Sequence, residues 1–439
     1  MFSFVKHELT EKNESLFVKI RKRPIYYIFV FLLLINISLI AINAGIWIIA
    51  ARQKLFVAAD FTSFYTGYYM VRVGDGANLY DMAAQARYQE QFMGGLIFEG
   101  GVLLFANPPF VAIIFSPLSL LPLGTAFYLW TIVQLILLIW MLYSITRLIS
   151  HWNRHERLLL ITTILAFWPL TNTFLLGQFS LLILLGLLQM YMAIRHSRLG
   201  KAGLWLVLLT IKPQTLPIPG MIVLNKRNWH GAITTAISGI AIIIFSSIFL
   251  GIGTWIQYIQ VLPTISNNFG KFGFIPDIQY TLRGLLTNIL GYSQASIINI
   301  ISISVFIGGI VFVWLLWMQG VLADSQRFKL YFAFTILLSA FLSLHSYPHD
   351  DLILVLPAAL FYDYLRENNY PRKAYSILIL ISPIVFFIAA FSSFDLFGIF
   401  RPPVIIILIF LVWIVYYLIL DHRREHINQQ TELSPTISS

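Results

Sequence analysis

The chain has 439 residues, 58% of them hydrophobic and only 11% charged, with a mean hydropathy of +0.79; a soluble protein is about a quarter charged, so that class is excluded. The formal net charge of +10 comes from 29 Lys and Arg against 19 Asp and Glu; the basic residues flank apolar runs, which orients spans and argues against nucleic acid as a partner. Cysteine is absent, which removes disulfides, thiolate nucleophiles and Cys-ligated metals together.

The sequence predicts an all-α polytopic membrane protein of about ten spans. Residues 1–24 are polar and mixed in charge, with no short apolar region and small-residue cleavage site, so the first span is expected to be retained. Spans are expected near 25–50, 124–147, 158–175, 178–194, 231–252, 296–319, 328–345, 351–364, 374–395 and 402–420. Two further apolar stretches are too broken to cross: 103–122, interrupted at Asn107-Pro108-Pro109 and Pro117, and 203–224, interrupted at Lys212-Pro213, Pro217 and Pro219. Both read as half-depth or re-entrant elements, tolerated only where the freed backbone packs in protein or lines a watery cavity. The polar tail within 421–439 reads as cytoplasmic and disordered.

Placing the N-terminus in the cytoplasm puts most Lys and Arg on cytoplasmic segments, as insertion requires. The C-terminus is then cytoplasmic too, and residues 25–420 form a single transmembrane domain. The first outer loop, 51–106, falls on the outer side with the Gly177-Gln178 turn, the second outer loop 253–295, and 343–351. Of the histidines only His345 and His349 lie there. No internal repeat is visible.

The first outer loop opens with ADFTSFYTGYYMVRVGDGANLYD. Asp60 follows the first span closely, so its carboxyl is expected to be partly desolvated, raised, and suited to act as a general base near neutral pH. The plainer reading is a helix cap. Phe61, Phe64, Tyr65, Tyr68 and Tyr69 follow at helical spacing and are expected to lie flat in the interface, as an aromatic belt does. Gly74-Asp75-Gly76 marks a turn. Asp81 is expected to cap a second short interfacial helix, MAAQARYQEQF.

Five stretches then resemble glycosyltransferase family 87 in order: the loop just quoted, NPPFVAIIFSPLSLLP, GQFSLLILLGLL, IKPQTLP followed by NKRNWHGA, and HSYPHDDLILVLPA. The resemblance covers about residues 25–365; Ser180 departs from it, where many members carry Asn. It implies an integral-membrane enzyme of the GT-C architecture. Such enzymes move a sugar, mannose or arabinofuranose in characterised members, from a polyprenyl-phosphate donor to a lipid-linked or glycan hydroxyl. They do so on the outer face of the plasma membrane, and the aspartate of the first outer loop, here Asp60, is regarded as the base.

Such a transfer needs a base for the attacking hydroxyl and a cation for the departing phosphate. A single inverting displacement is expected, with no cofactor. Lys212, Arg283 and His349 are the candidates for the phosphate, and Lys271 is a weaker one. Lys212 can equally snorkel, and Arg283 can be an ordinary loop residue. Tyr65, Asn107, Gln178 and Asp350 are candidates for sugar or acceptor contacts, although Asn107 and Gln178 can be structural caps and Asp350 can hold His349 or cap a helix. His345, His349, Asp350 and Asp351 also have metal-ligand chemistry, but not the fixed spacing of a metal site. A transporter or flippase of lipid-linked saccharide would share these features without needing the base, and a non-catalytic scaffold is a third reading.

Overall fold

The computed structural model describes residues 2–95, 102–224, 229–268, 270–271, 274–391 and 401–433, with the backbone alone for 2–26 and 424–433. Three features of the sequence reading lie outside these residues: the basic NKR at 225–227, the end of the span expected at 374–395, and the last residues of the tail.

Among the described residues every regular element is helical. In chain order they are α1 (Phe2–Arg52), α2 (Asp60–Arg72), α3 (Met82–Phe92), α4 (Pro109–Phe115), α5 (Leu123–Leu148) and α6 (Arg154–Ala166). Next come α7 (Trp168–Leu176), α8 (Ser180–Arg195), α9 (Leu199–Val207), α10 (Pro217–Gly220), α11 (Trp229–Leu250) and α12 (Gly253–Asn267). The last are α13 (Leu282–Leu290), α14 (Ala295–Met318), α15 (Gln326–Leu342), α16 (Val355–Glu367), α17 (Lys373–Phe391) and α18 (Pro402–Leu433). The final helix carries on into the tail expected to lack structure.

Among the described residues, six helices are long and apolar enough to cross a membrane: the Tyr27–Arg52 part of α1, α5, α11, the helical run Tyr292–Met318 that contains α14, α17, and the Pro402–Arg423 part of α18. A seventh crossing results if α6 and α7, bent by 41° at Phe167, count as one. The chain is a multi-pass membrane protein, and the long helices among the described residues account for six or seven of the roughly ten spans expected. The difference falls on the inner helices. α8 has 16 residues, α15 has 17 and α16 has 13. At 1.5 Å per residue, 16 residues reach about 24 Å, short of the roughly 30 Å hydrocarbon core. These helices are nearly wholly buried in protein, so lipid thickness does not set their length. α11, by contrast, has only 6% of its apolar window buried, although it packs on α9 along one side.

Proline and polar residues decide where the helices break, and side chains repair the breaks. Pro169 sits in the first turn of α7, and the carbonyl of Ala166 at the bend accepts from Asn43 Nδ2 of α1 at 3.1 Å. The two proline-broken stretches make only short helices. They are tied together by Asn107, whose Nδ2 donates to the Ile211 carbonyl at 3.0 Å. Lipid tails are as apolar as leucine, so packing and such hydrogen bonds hold membrane helices together.

The first outer loop folds as two helices, with Asp81 accepting from the Ala84 amide at 2.6 Å as the cap of α3. The expected aromatic belt on α2 is not formed. Phe61, Phe64, Tyr65 and Tyr68 are buried. α2 packs into the protein beneath the stretch that precedes α5, and its rings serve as core.

Candidate functional site

Segments far apart in sequence close around a cavity of about 460 Å³. The first residue of α2 contributes Asp60, the α7–α8 turn Gln178, the break after Ile211 Lys212, α13 Arg283, and the loop after α15 His345, Tyr347 and His349. Asn107 lines it from the turn before α4, and the apolar wall includes Phe64, Leu104, Tyr258 and Ile265.

Asp60 is partly open to this cavity. Burial raises its carboxyl above the ordinary carboxylate range, while the hydrogen bond from Gln178 and the charge of Lys212 pull it back down. Gln178 Nε2 donates to Asp60 Oδ2 at 2.5 Å. Asp60 also stands at the N-terminus of α2, where the helix dipole favours the carboxylate.

The turn that presents Gln178 is built for the purpose. Gly177 has φ of +67°, and a Cβ there would stand 2.9 Å from Phe61 Cβ, so both the backbone and the close approach require glycine. From α5, Trp130 Nε1 donates to the Gly177 carbonyl at 2.8 Å, and Gln134 Nε2 donates to the carbonyls of Gln178 at 3.0 Å and Thr173 at 3.1 Å. Gln134 was not singled out by the sequence reading. A glutamine inside an apolar span is costly without a partner, and that was the available signal.

Lys212 precedes a proline, which disfavours the helical conformation; its φ of −124° and ψ of 83° end the turn there. Its Nζ lies 2.5 Å from Asp350 Oδ1 and 3.1 Å from His349 Nε2. It is therefore no snorkelling lysine. An ammonium can only donate, so Nε2 accepts and the ring proton is assigned to Nδ1. Burial lowers His349 to about 3, so the ring is neutral at pH 7 and consistent with that tautomer. Nδ1 has no hydrogen-bond partner among the described residues. Asp350 is held by Lys212, by the Tyr347 amide at 3.1 Å and by Ser180 Oγ at 3.4 Å. Burial pushes its carboxyl up, but His349, Lys212 and the Tyr347 amide together outweigh it and hold it down at about 2.

Arg283 donates to the carbonyls of Leu344 and Ser266 at 2.8 Å, to Ser266 Oγ at 2.9 Å, and to Asn299 Oδ1. Its guanidinium also lies 4.7 Å from the centre of the Phe274 ring. Those four acceptors are uncharged. Burial lowers Arg283 to about 10, which leaves it protonated at neutral pH.

Thus Asp60, Asn107, Gln178, Lys212, Arg283 and His349 line one cavity. Asp350 lies behind Lys212 and does not line the cavity. Tyr65 is placed elsewhere: its hydroxyl donates to the Leu121 carbonyl at 2.8 Å and its ring packs on Phe92. Helical spacing did not reveal which face of α2 met the protein. Lys271 is exposed and lies off the cavity.

Among the described residues, one group has metal-ligand atoms within 4.8 Å of one another, His151, Asp363 and Glu367. It sits beyond the far end of α5 from the cavity. Lys329 Nζ lies 2.5 Å from Asp363 and 2.6 Å from Glu367, so an ammonium already occupies the place of a cation.

Comparison with known proteins adds the following. The family model described as Glycosyltransferase family 87 matches residues 105–344, which takes in Asn107, Gln178, Lys212 and Arg283 but begins after Asp60 and ends before His349. A polyprenol-phosphate-mannose-dependent alpha-(1-2)-phosphatidylinositol pentamannoside mannosyltransferase of Mycolicibacterium smegmatis is 27% identical over 192 residues. That match covers 43% of this chain and 45% of the relative, less than half of each. No solved structure matches the chain.

Proposed function

The chain belongs to glycosyltransferase family 87, and on that premise we propose that it moves a sugar, mannose or a similar one, from a polyprenyl-phosphate donor to a hydroxyl of a lipid-linked glycan. The observation that carries this reading is the placement of a part-exposed carboxylate, Asp60, in the same cavity as Lys212, Arg283 and His349. The relative is named for a polyprenol-phosphate-mannose donor and a glycolipid acceptor, which supports both substrate classes.

In the proposed step Asp60 takes the proton of the acceptor hydroxyl as its oxygen attacks the anomeric carbon. The bond from that carbon to the donor phosphate breaks, and the electron pair leaves with the phosphate. A single displacement inverts the configuration, and Gln178 orients the base. Lys212 and Arg283 supply positive charge to the departing phosphate, and His349 Nδ1–H supplies a donor. Asp350 keeps Lys212 in place as a positioning residue. The distribution of basic residues supports cytoplasmic termini and an active site on the outer face of the plasma membrane, within a GT-C-type fold.

The test is transfer by the full chain reconstituted in vesicles with radiolabelled polyprenyl-phosphate mannose. Label is expected on a new hydroxyl, and Asp60→Asn is expected to abolish transfer while the protein folds and inserts normally. Label that only changes leaflet would identify a flippase, and near-normal transfer by Asp60→Asn would remove Asp60 from the chemistry.

A further inference from the structure

Beside the catalytic cavity lies a second hollow, of about 330 Å³, lined by Asn78, Tyr80, Asp81, Gln257 and Gln260. Its chemistry differs from that of its neighbour. It holds amides and a carboxylate but no cation, which suits sugar hydroxyls and not a phosphate. Planar amides and carboxylates beside an aromatic ring offer both hydrogen bonds and a flat apolar face.

Two contacts join the hollows. Tyr80 packs against Tyr258, with ring centres 5.5 Å apart, and Tyr258 lines the catalytic cavity. The Tyr80 hydroxyl donates to the Asn107 carbonyl at 2.7 Å, and Asn107 lines the same cavity. The Tyr80–Tyr258 pair is therefore a shared wall. A chain of sugars with its reacting hydroxyl at Asp60 has this shoulder to cross on its way out.

The pattern of α12 supports the assignment independently. At about 100° per residue its side chains fall into three adjoining sectors. Thr254, Tyr258, Val261 and Ile265 are buried. Ile252, just before the helix, with Ile256, Ile259 and Leu262 forms an exposed apolar stripe, suited to lipid. Gln257 and Gln260 are exposed and occupy the remaining sector, the one that faces the hollow. The polar sector is thus placed where a water-side ligand would meet it, next to the stripe that meets the bilayer.

We propose that this hollow is a distal acceptor subsite that binds the second or third sugar of an oligosaccharide whose terminal residue receives the transferred sugar. The assignment rests on the glycosyltransferase reading above. It predicts that longer acceptors bind better, and that Gln257 and Gln260 are the reason.

The test uses the full-length protein in detergent, with methyl α-mannoside and linear α-mannotriose as probes and binding read by saturation-transfer NMR. The wild type is expected to bind the trisaccharide about tenfold more tightly than the monosaccharide. In Gln257→Ala/Gln260→Ala the two affinities are expected to become equal. Both residues are exposed, and a thermal melt checks that the variant folds. No preference for the trisaccharide in the wild type, or an undiminished preference in the variant, overturns the proposal. A wild type that shows the preference, loses it in the variant and yet transfers no label upholds the subsite while refuting the catalytic reading.

Discussion

Replacing Gln178 by Leu keeps most of the side-chain volume and removes the Nε2 donor that lies 2.5 Å from Asp60 Oδ2. A hydrogen bond to a charged group contributes about 1.5–3 kcal/mol, and this one favours the carboxylate over the protonated acid, whose oxygen accepts more weakly. Burial already raises the Asp60 carboxyl, and Gln178 is the largest influence pulling it down; without it the carboxyl rises further. On the acid limb of the pH profile the rate follows the deprotonated fraction. Transfer there is expected to fall by between about tenfold and a hundredfold, the same energy expressed as a rate, and to recover as the pH is raised. The assay is kcat/KM for sugar transfer between pH 5 and 9, wild type against variant, with thermal melts of both. A uniform fall with an unmoved acid limb would refute the reasoning and return Gln178 to a direct sugar contact. An unchanged rate would remove it from the site.

Lys212→Met leaves Asp350 buried without its partner and is expected to cost about 3–5 kcal/mol; adding Asp350→Leu should restore most of the melting temperature but none of the transfer. Gly177→Ala forces a left-handed backbone, costing about 1–2 kcal/mol, and its Cβ meets Phe61, the neighbour of Asp60, so both melting temperature and transfer should fall. His349 is held near 3 in the fold against about 6.5 in an unfolded chain, so between these values the unfolded state binds the extra proton and stability rises with pH. Acidifying to pH 5 should therefore cost about 2 kcal/mol through this residue, a loss that His349→Gln removes from the melting curve. If Lys212 and Arg283 supply the charge on the phosphate, transfer should survive EDTA, and a chelator-sensitive rate would count against that role.

Much of the site was legible because charge is expensive in an apolar chain. Lys212 stood out against greasy surroundings, Arg283 and His349 as basic residues in outer polar loops, and proline marked the breaks where polar backbone has to line something. Asp60 was singled out by its closeness to the end of the first span, and it lines the cavity. What the sequence could not carry was which surface each helix faces. Tyr65 shares its helical pattern with Phe61 and Tyr68, and an aromatic stripe reads the same against lipid or against protein. The number of spans was harder to read for a related reason: α8, α15 and α16 are apolar enough to pass for spans but are short and meet other helices. Partners such as Asp350 for Lys212, or Gln178 for Asp60, are far apart in the chain, so no periodicity announces them.

Arg283 binds its present partners from several elements at once: Ser266 on α12, Asn299 on α14 and Leu344 beyond α15. In the proposed reaction a phosphate that takes hydrogen bonds from this guanidinium competes with those acceptors. Ligand capture would then loosen the staple fastening α12 to the body of the protein. Reciprocity requires the converse: whatever displaces α12 must alter the grip on the phosphate by the same factor, so one arginine makes the mouth of the cavity responsive to its contents.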